Sequence, residues 1–270
     1  MILHGYIDES YDGTAIPEVF TLSCILAWGS EWSWMEMAWL KVLEEKNASL
    51  VAAGRKSIRR YHATDCFNRE REFENWSRTE RDEFVLKLFK VFRYHTTSHI
   101  AMSINVRELL EVWGGDVEDP MSLAYDLMLV FIMNEIGISM EQENFKANVA
   151  LFYERSDYGP VLLKTFNRLM DVDETFRFKH VFTTIAPMGW ENCIPLQPAD
   201  LIAFEAFGNA RRLRAEQPKN MSKSLEALLS MDSVGSRSKG VSREVIDQLK
   251  AMVDARVKRL RDEGKEPLKR

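Results

Sequence analysis

Cysteine is scarce in this sequence, long apolar runs are missing, and positive charge is not in excess; each shortage removes a class of function. The three cysteines, Cys24, Cys66 and Cys193, are scattered and odd in number over 270 residues, which argues against a disulfide framework and for a reducing compartment. The longest apolar runs, such as 127–133, are too short for a membrane span. The opening residues lack the basic-then-apolar layout of a signal peptide. A cytoplasmic protein with no membrane partner is therefore expected. A formal net charge of -5 offers no bulk electrostatic case for nucleic-acid binding. Basic residues gather in two clusters: Arg55, Lys56, Arg59 and Arg60, then Arg211, Arg212 and Arg214 followed by Lys219 and Lys223. Internal repeats and low-complexity tracts are also missing. So are the Gly-rich phosphate loop, the dinucleotide fingerprint, His-Glu-x-x-His, Cys-x-x-Cys and the Gly-x-Ser-x-Gly elbow, which leaves the commonest nucleotide, zinc-protease, redox and serine-hydrolase mechanisms without an anchor.

Hydrophobic residues make up 46% of the chain, enough for a sizeable core, and they fall into strand and helix periods. Residues 2–7 read as a strand carrying Asp8-Glu9-Ser10 at its end, with Tyr11-Asp12-Gly13 as the turn. In 19–28, Phe20, Leu22, Cys24, Leu26 and Trp28 alternate with Thr21, Ser23 and Ala27, predicting a second strand hairpin-paired to the first. Ser33 and Glu36 have capping-box spacing, and Trp32, Met35, Trp39, Val42 and Leu43 recur helically, so a helix is expected over about 31–53. Ser77 and Glu80 form another capping box before a helix ending near Tyr94, and 97–106 alternates as a third strand. Asp119-Pro120 is an N-cap followed by a first-turn proline. The run 149–153 is uniformly apolar, as a central strand should be, and ends in Glu154. A helix from Pro160, a fifth strand over 178–185, a helix from Pro198 to about Leu213, and helices over 222–229 and 241–260 complete the layout. The order predicts an α/β fold: a mixed five-stranded sheet flanked by helices, with a helical insertion over about 31–95. Residues 1–215 form the expected domain and 216–270 a helical C-terminal extension that offers a surface for a homo-oligomer.

With the other mechanisms gone, carboxylates remain. Asp8 ends the first strand, Glu154 ends the fourth, and Asp200 is expected in the first turn of the helix after the fifth. If the first and fourth strands are neighbours, Asp8 and Glu154 lie close, and the last helix brings Asp200 beside them. Its stripe of Ala199, Ala203, Ala206 and Ala210 allows close approach to a sheet. Three such acids raise one another's pKa unless a cation neutralises them. Oxygen-only donors select Mg²⁺ or Mn²⁺, which activates water and stabilises the oxygen leaving a phosphodiester. His62, in Tyr61-His62-Ala63-Thr64-Asp65-Cys66, is a phosphate-positioning or proton-transferring candidate, or a structural histidine; zinc lacks its further ligands nearby.

The combination of Tyr6-Ile7-Asp8-Glu9-Ser10, His62-Ala63 and Gln197-Pro198-Ala199-Asp200-Leu201-Ile202-Ala203 resembles domain-of-unknown-function family 3800 over most of 1–214. The resemblance implies a ribonuclease-H-like fold, similar to metal-dependent nucleases and integrases, with the first strand beside the fourth. It implies metal-binding roles for Asp8 and Asp200, with Glu154 at the fourth-strand position and Asp157 as its alternative. Asp126 and Glu135 are candidates for an acid on the first core helix. Glu9 is a further candidate, but adjacent strand residues face opposite sides, so Asp8 and Glu9 share a metal only if the strand ends between them. The expected function is a Mg²⁺- or Mn²⁺-dependent nuclease acting on DNA or RNA. An inactive nucleic-acid- or protein-binding module, or a nucleotide phosphohydrolase, is the alternative.

Overall fold

The computed structural model describes residues 1–114, 117–215, 223, 224, 226 and 237–262. The strands are β1 (Ile2–Tyr11), β2 (Phe20–Trp28), β3 (Ser98–Ile104), β4 (Asn148–Glu154), β5 (Phe182–Met188) and β6 (Arg237–Val241). They form one mixed sheet in the order β5-β4-β1-β2-β3-β6. β1 pairs antiparallel with β2 and parallel with β4, β2 pairs antiparallel with β3, and β5 and β6 extend the two edges in parallel. The helices are α1 (Gly29–Ala52), α2 (Ala63–Asn68), α3 (Arg78–His95), α4 (Val106–Trp113), α5 (Pro120–Gln142), α6 (Gly159–Asn167), α7 (Leu196–Arg214) and α8 (Arg243–Asp262).

Period-two alternation sorts the strands onto two cores. Ile7, Phe20, Leu22, Cys24, Ile100, Met102 and Leu151 face α5 with its Tyr125, Met128, Leu129 and Ile132, and α4, α6 and α8 close this side. Tyr6, Ile25, Ala27 and Ala101 face α7, behind which α1 and α3 pack Trp39, Leu43, Phe84 and Leu88. α5 is apolar enough by length and composition to cross a membrane; here Met121, Tyr125, Met128, Ile132 and Ile136 are buried on one side of it against the sheet.

Several expected elements form as read. Ser77 Oγ accepts from Glu80 N at 3.0 Å, and Asp119 Oδ1 accepts from Met121 N and Ser122 N at 3.0 and 3.2 Å. Others differ. The sheet has six strands rather than five, because Arg237–Val241 pairs with β3. Val241 and Ile246 are buried in the core on the α5 side. α1 begins at Gly29, directly after β2, so Ser33 lies inside the helix and its hydroxyl reaches back to Gly29 O at 3.4 Å. The fifth strand starts at Phe182 because Lys179–Val181 winds as a 3₁₀ turn. α4 went unread in the sequence although Asn105 caps it, accepting from Glu108 N at 3.1 Å. The helix expected over 222–229 falls largely outside the described residues.

Candidate functional site

The parallel ladder between β1 and β4 ends at the Ile7–Tyr153 pair. Asp8 and Glu154 are the next residues on the two strands, on neighbouring positions of one face. That face is the α7 side. Asp8 pairs with Ser23 across β1 and β2, and Ser23 Oγ donates to Ala199 O at 3.0 Å, so the helix is hydrogen-bonded to the sheet one residue before Asp200. Close approach is possible because both surfaces are small-chained. Ala199, Ala203 and Ala206 on the helix, and Thr21, Ser23, Ala101 and Ser103 on the sheet, are all buried. Thr21 and Ser103 satisfy each other at 2.7 Å, which keeps the polar part of this interface from costing stability.

Asp200 lies in the second turn of α7, since the helix starts at Leu196 rather than Pro198 and its first turn holds no acid. Away from the first turn, the helix dipole acts on it only weakly. A specific bond replaces it: Asp200 Oδ2 accepts from Ala63 N, the first helical residue of α2, at 2.7 Å. Gln197, one turn earlier, accepts through Oε1 from Tyr61 N and from the Trp39 indole, both at 2.9 Å. Gln197 and Asp200 thus hold the backbone on either side of His62. His62 Nδ1 stands 3.0 Å from Asp65 Oδ2, without the alignment of a hydrogen bond. Gln197 carried no chemical signal in the sequence beyond its place three residues before Asp200.

Glu9 is placed differently. β1 does not end after Ile7 but continues to Tyr11, paired with β2 throughout, and Glu9 stands opposite Leu22. Leu22 belongs to the α5 core. Asp8 and Glu9 therefore point to opposite faces of one continuous strand, and Glu9 lies against Tyr125 of α5.

The electrostatics tie these acids together. Burial, then the charges of Asp200, Glu9 and Glu154, push the Asp8 carboxyl well above the usual range. Glu9 is pushed up to about 7, chiefly by burial and also by Glu154 and Asp200, with the Tyr125 hydroxyl offsetting part of the rise. Asp200 is pushed up to about 6 by burial and Glu154, against lowering by His62, the Ala63 amide and Arg60. Burial also raises Glu154, and the Glu191 carboxylate adds to it, while Arg60 and His62 pull it down. The segment before α2 thus supplies groups that hold these acids down. Arg60 Nη1 lies 3.9 Å from Glu154 Oε1.

The remaining candidates go elsewhere. Asp126 accepts from Thr165 Oγ1 at 2.5 Å and Arg168 Nη2 at 2.7 Å. Glu135 pairs with Arg237 at 2.9 Å and Lys239 at 2.8 Å. Asp157 is exposed, and its charge acts on Tyr11 and Tyr158. The second basic group is likewise engaged: Arg214 pairs with Glu108, Arg212 bonds Asn209 at 2.5 Å, and Arg211 lies over the Phe207 ring; Lys219 is outside the described residues.

In donor chemistry, Asp8, Glu154 and Asp200 suit a hard divalent cation: oxygen only, mutually repelling and partly desolvated. Among the described residues, however, no three His, Cys, Asp or Glu side chains are drawn together tightly enough to hold a metal ion. Binding one requires these side chains to turn towards a common point. No protein-family model matches the sequence, and no curated protein matches it.

Proposed function

We propose that the chain is a divalent-metal-dependent phosphodiester hydrolase acting on nucleic acid, built on a ribonuclease-H-like sheet. The placement of β1 between β4 and β2 agrees with that fold. The observation that carries the reading is that Asp8, Glu154 and Asp200 come from three separate elements to one face where the β1–β4 ladder ends, near enough for their charges to act on one another. Their mutual repulsion is only partly answered by Arg60 and His62. Free energy spent on holding like charges together is recovered when a cation enters.

Asp8, Glu154 and Asp200 are the residues that would hold Mg²⁺ or Mn²⁺. When bound, the ion supplies Lewis-acid polarisation of a phosphoryl oxygen and a nucleophilic water at neutral pH. The chain's own contribution is positional. Ser23 fixes α7 against the sheet, Gln197 and Asp200 fix residues 61 and 63, and His62 between them is set to hold or move a proton beside the acids. Arg60 stands ready for substrate phosphate.

The test incubates the protein with labelled single- and double-stranded DNA and RNA in Mg²⁺ or Mn²⁺, with Asp8→Asn as control. Cleavage by the wild type that is lost in the variant is expected; cleavage that survives Asp8→Asn overturns the site. A second reading, a binding module without catalysis, is favoured by the open arrangement of the acids. Tight nucleic-acid or protein binding that is unaltered by Asp8→Asn and accompanied by no cleavage would select it.

A further inference from the structure

In the basic run before α2, hydrogen-bonded ion pairs engage every member but the last. Arg55 donates to Glu80 at 2.8 and 3.1 Å, Lys56 to Glu74 at 3.3 Å, and Arg59 to Glu72 at 2.8 Å. Arg60 makes no hydrogen bond among the described residues. Its guanidinium instead lies 4.0 Å from the centre of the Trp190 ring and 3.9 Å from Glu154 Oε1. Trp190 occupies a single 3₁₀ turn, Trp190–Asn192, between β5 and α7, in which no residue is buried. Its 37% exposure contrasts with 3%, 0% and 2% for the core residues Trp32, Trp39 and Trp76. This indole stands partly open beside Glu154, with a cation over it. It has the flat apolar face on which an unpaired base stacks.

We propose that Trp190 and Arg60 form a subsite for one unpaired nucleotide of a single-stranded nucleic acid, adjoining Asp8, Glu154 and Asp200. The base stacks on the open part of the indole, and Arg60 turns from Glu154 to the neighbouring phosphate. Stacking needs an exposed base face, which a duplex hides. Glu191, next to Trp190 and near enough for its charge to raise Glu154, repels phosphate and so confines it to the Arg60 side. The inference rests on the nucleic-acid reading of the site and names its substrate class.

The experiment measures binding of labelled single-stranded DNA and RNA, and of the matching duplexes, to the full chain in chelator, so that no hydrolysis intervenes. Trp190→Ala, Trp190→Phe and Arg60→Ala are compared after circular dichroism has verified their folding. The wild type is expected to prefer single strands. Trp190→Ala should weaken that binding roughly ten-fold, the loss of about one stacked base. Trp190→Phe should retain it within about three-fold, since a phenyl ring also stacks. Arg60→Ala should make binding less salt-dependent. The subsite is overturned if Trp190→Ala binds single strands as tightly as the wild type, if Trp190→Phe is as weak as Trp190→Ala, or if the wild type binds no single strand. Trp190-dependent binding without Mg²⁺-dependent cleavage keeps the subsite and removes the hydrolase reading. Cleavage with Trp190-independent binding does the reverse.

Discussion

The two faces of the sheet near Asp8 are made by the same strands in alternation, yet they solve opposite problems. On the α5 side, Ile7, Phe20, Leu22 and Tyr125 form an apolar layer, and Glu9 is set against the tyrosine. On the α7 side, the apolar Tyr6, Ile25 and Ala27 are interspersed with the buried polar or small Asp8, Thr21, Ser23, Ala101 and Ser103, and hydrogen bonds join sheet to helix. The first face is apolar where it meets its helix, whereas the second mixes packing with polar contacts beside the carboxylates.

The sharpest contrast comes from truncating the packed face. Leu22 is fully buried, and Leu22→Ala should cost about 2–5 kcal/mol in chemical denaturation. On the opposite face, Gln197→Ala leaves the Trp39 indole and the Tyr61 amide without their acceptor. A loss of about 2–4 kcal/mol is expected from two buried donors. It should be accompanied by faster amide exchange at residues 61–63, which Leu22→Ala does not share.

Next in size is a pH dependence that belongs to the acids alone. Glu9 and Asp200 titrate at about 7 and about 6 in the fold, above their values in an unfolded chain. Between about pH 4 and 7 the native state therefore binds more protons than the unfolded state. Their contribution to metal-free stability is complete below about pH 4 and is lost as pH rises through 6 to 7. For two half-buried groups the decline should be on the order of 1–2 kcal/mol. Glu9→Gln or Asp200→Asn should flatten it, whereas Leu22→Ala should lower the whole curve without changing its slope. Added Mg²⁺ should raise stability at pH 7 if the acids hold it. Smallest of all is Arg59→Ala. The Arg59 side chain is 88% exposed in its pair with Glu72, so thermal unfolding should move by less than about 1 kcal/mol.

Much of this contrast could be read in the sequence. Apolar residues at every second position of β2, with Thr21, Ser23 and Ala27 between them, announce one packed face and one small-chained face. The Asp119 and Ser77 caps are local chemistry and form where local chemistry puts them. What depends on distant partners was less legible. β6 reads Arg-Ser-Lys-Gly-Val, with little strand preference, and is a strand because β3 offers it an edge. The apolar pattern of the first strand stops at Ile7 and Tyr11-Asp12-Gly13 reads as a turn, but β2 continues to pair as far as Tyr11. Asp200 stands out in the sequence as an acid near the start of the last helix, but what holds it does not. Its partner, Ala63 N, is 137 positions away in sequence, and neither residue advertises the other. The basic run at 55–60 stands out in the sequence but its partners do not: Arg55, Lys56 and Arg59 are answered by Glu80, Glu74 and Glu72, and Arg60 faces Glu154.

The division of Asp8 from Glu9 is tested most directly by measuring Mg²⁺- or Mn²⁺-dependent cleavage of single-stranded nucleic acid for Asp8→Asn and Glu9→Gln side by side. Asp8 shares a face with Glu154 and Asp200, so Asp8→Asn should reduce the rate at least about a hundred-fold, as for loss of a group that stabilises the transition state. Glu9 faces Tyr125, and Glu9→Gln should lower the rate by less than about ten-fold. Equal loss in both variants, or cleavage that persists in Asp8→Asn, would contradict the assignment.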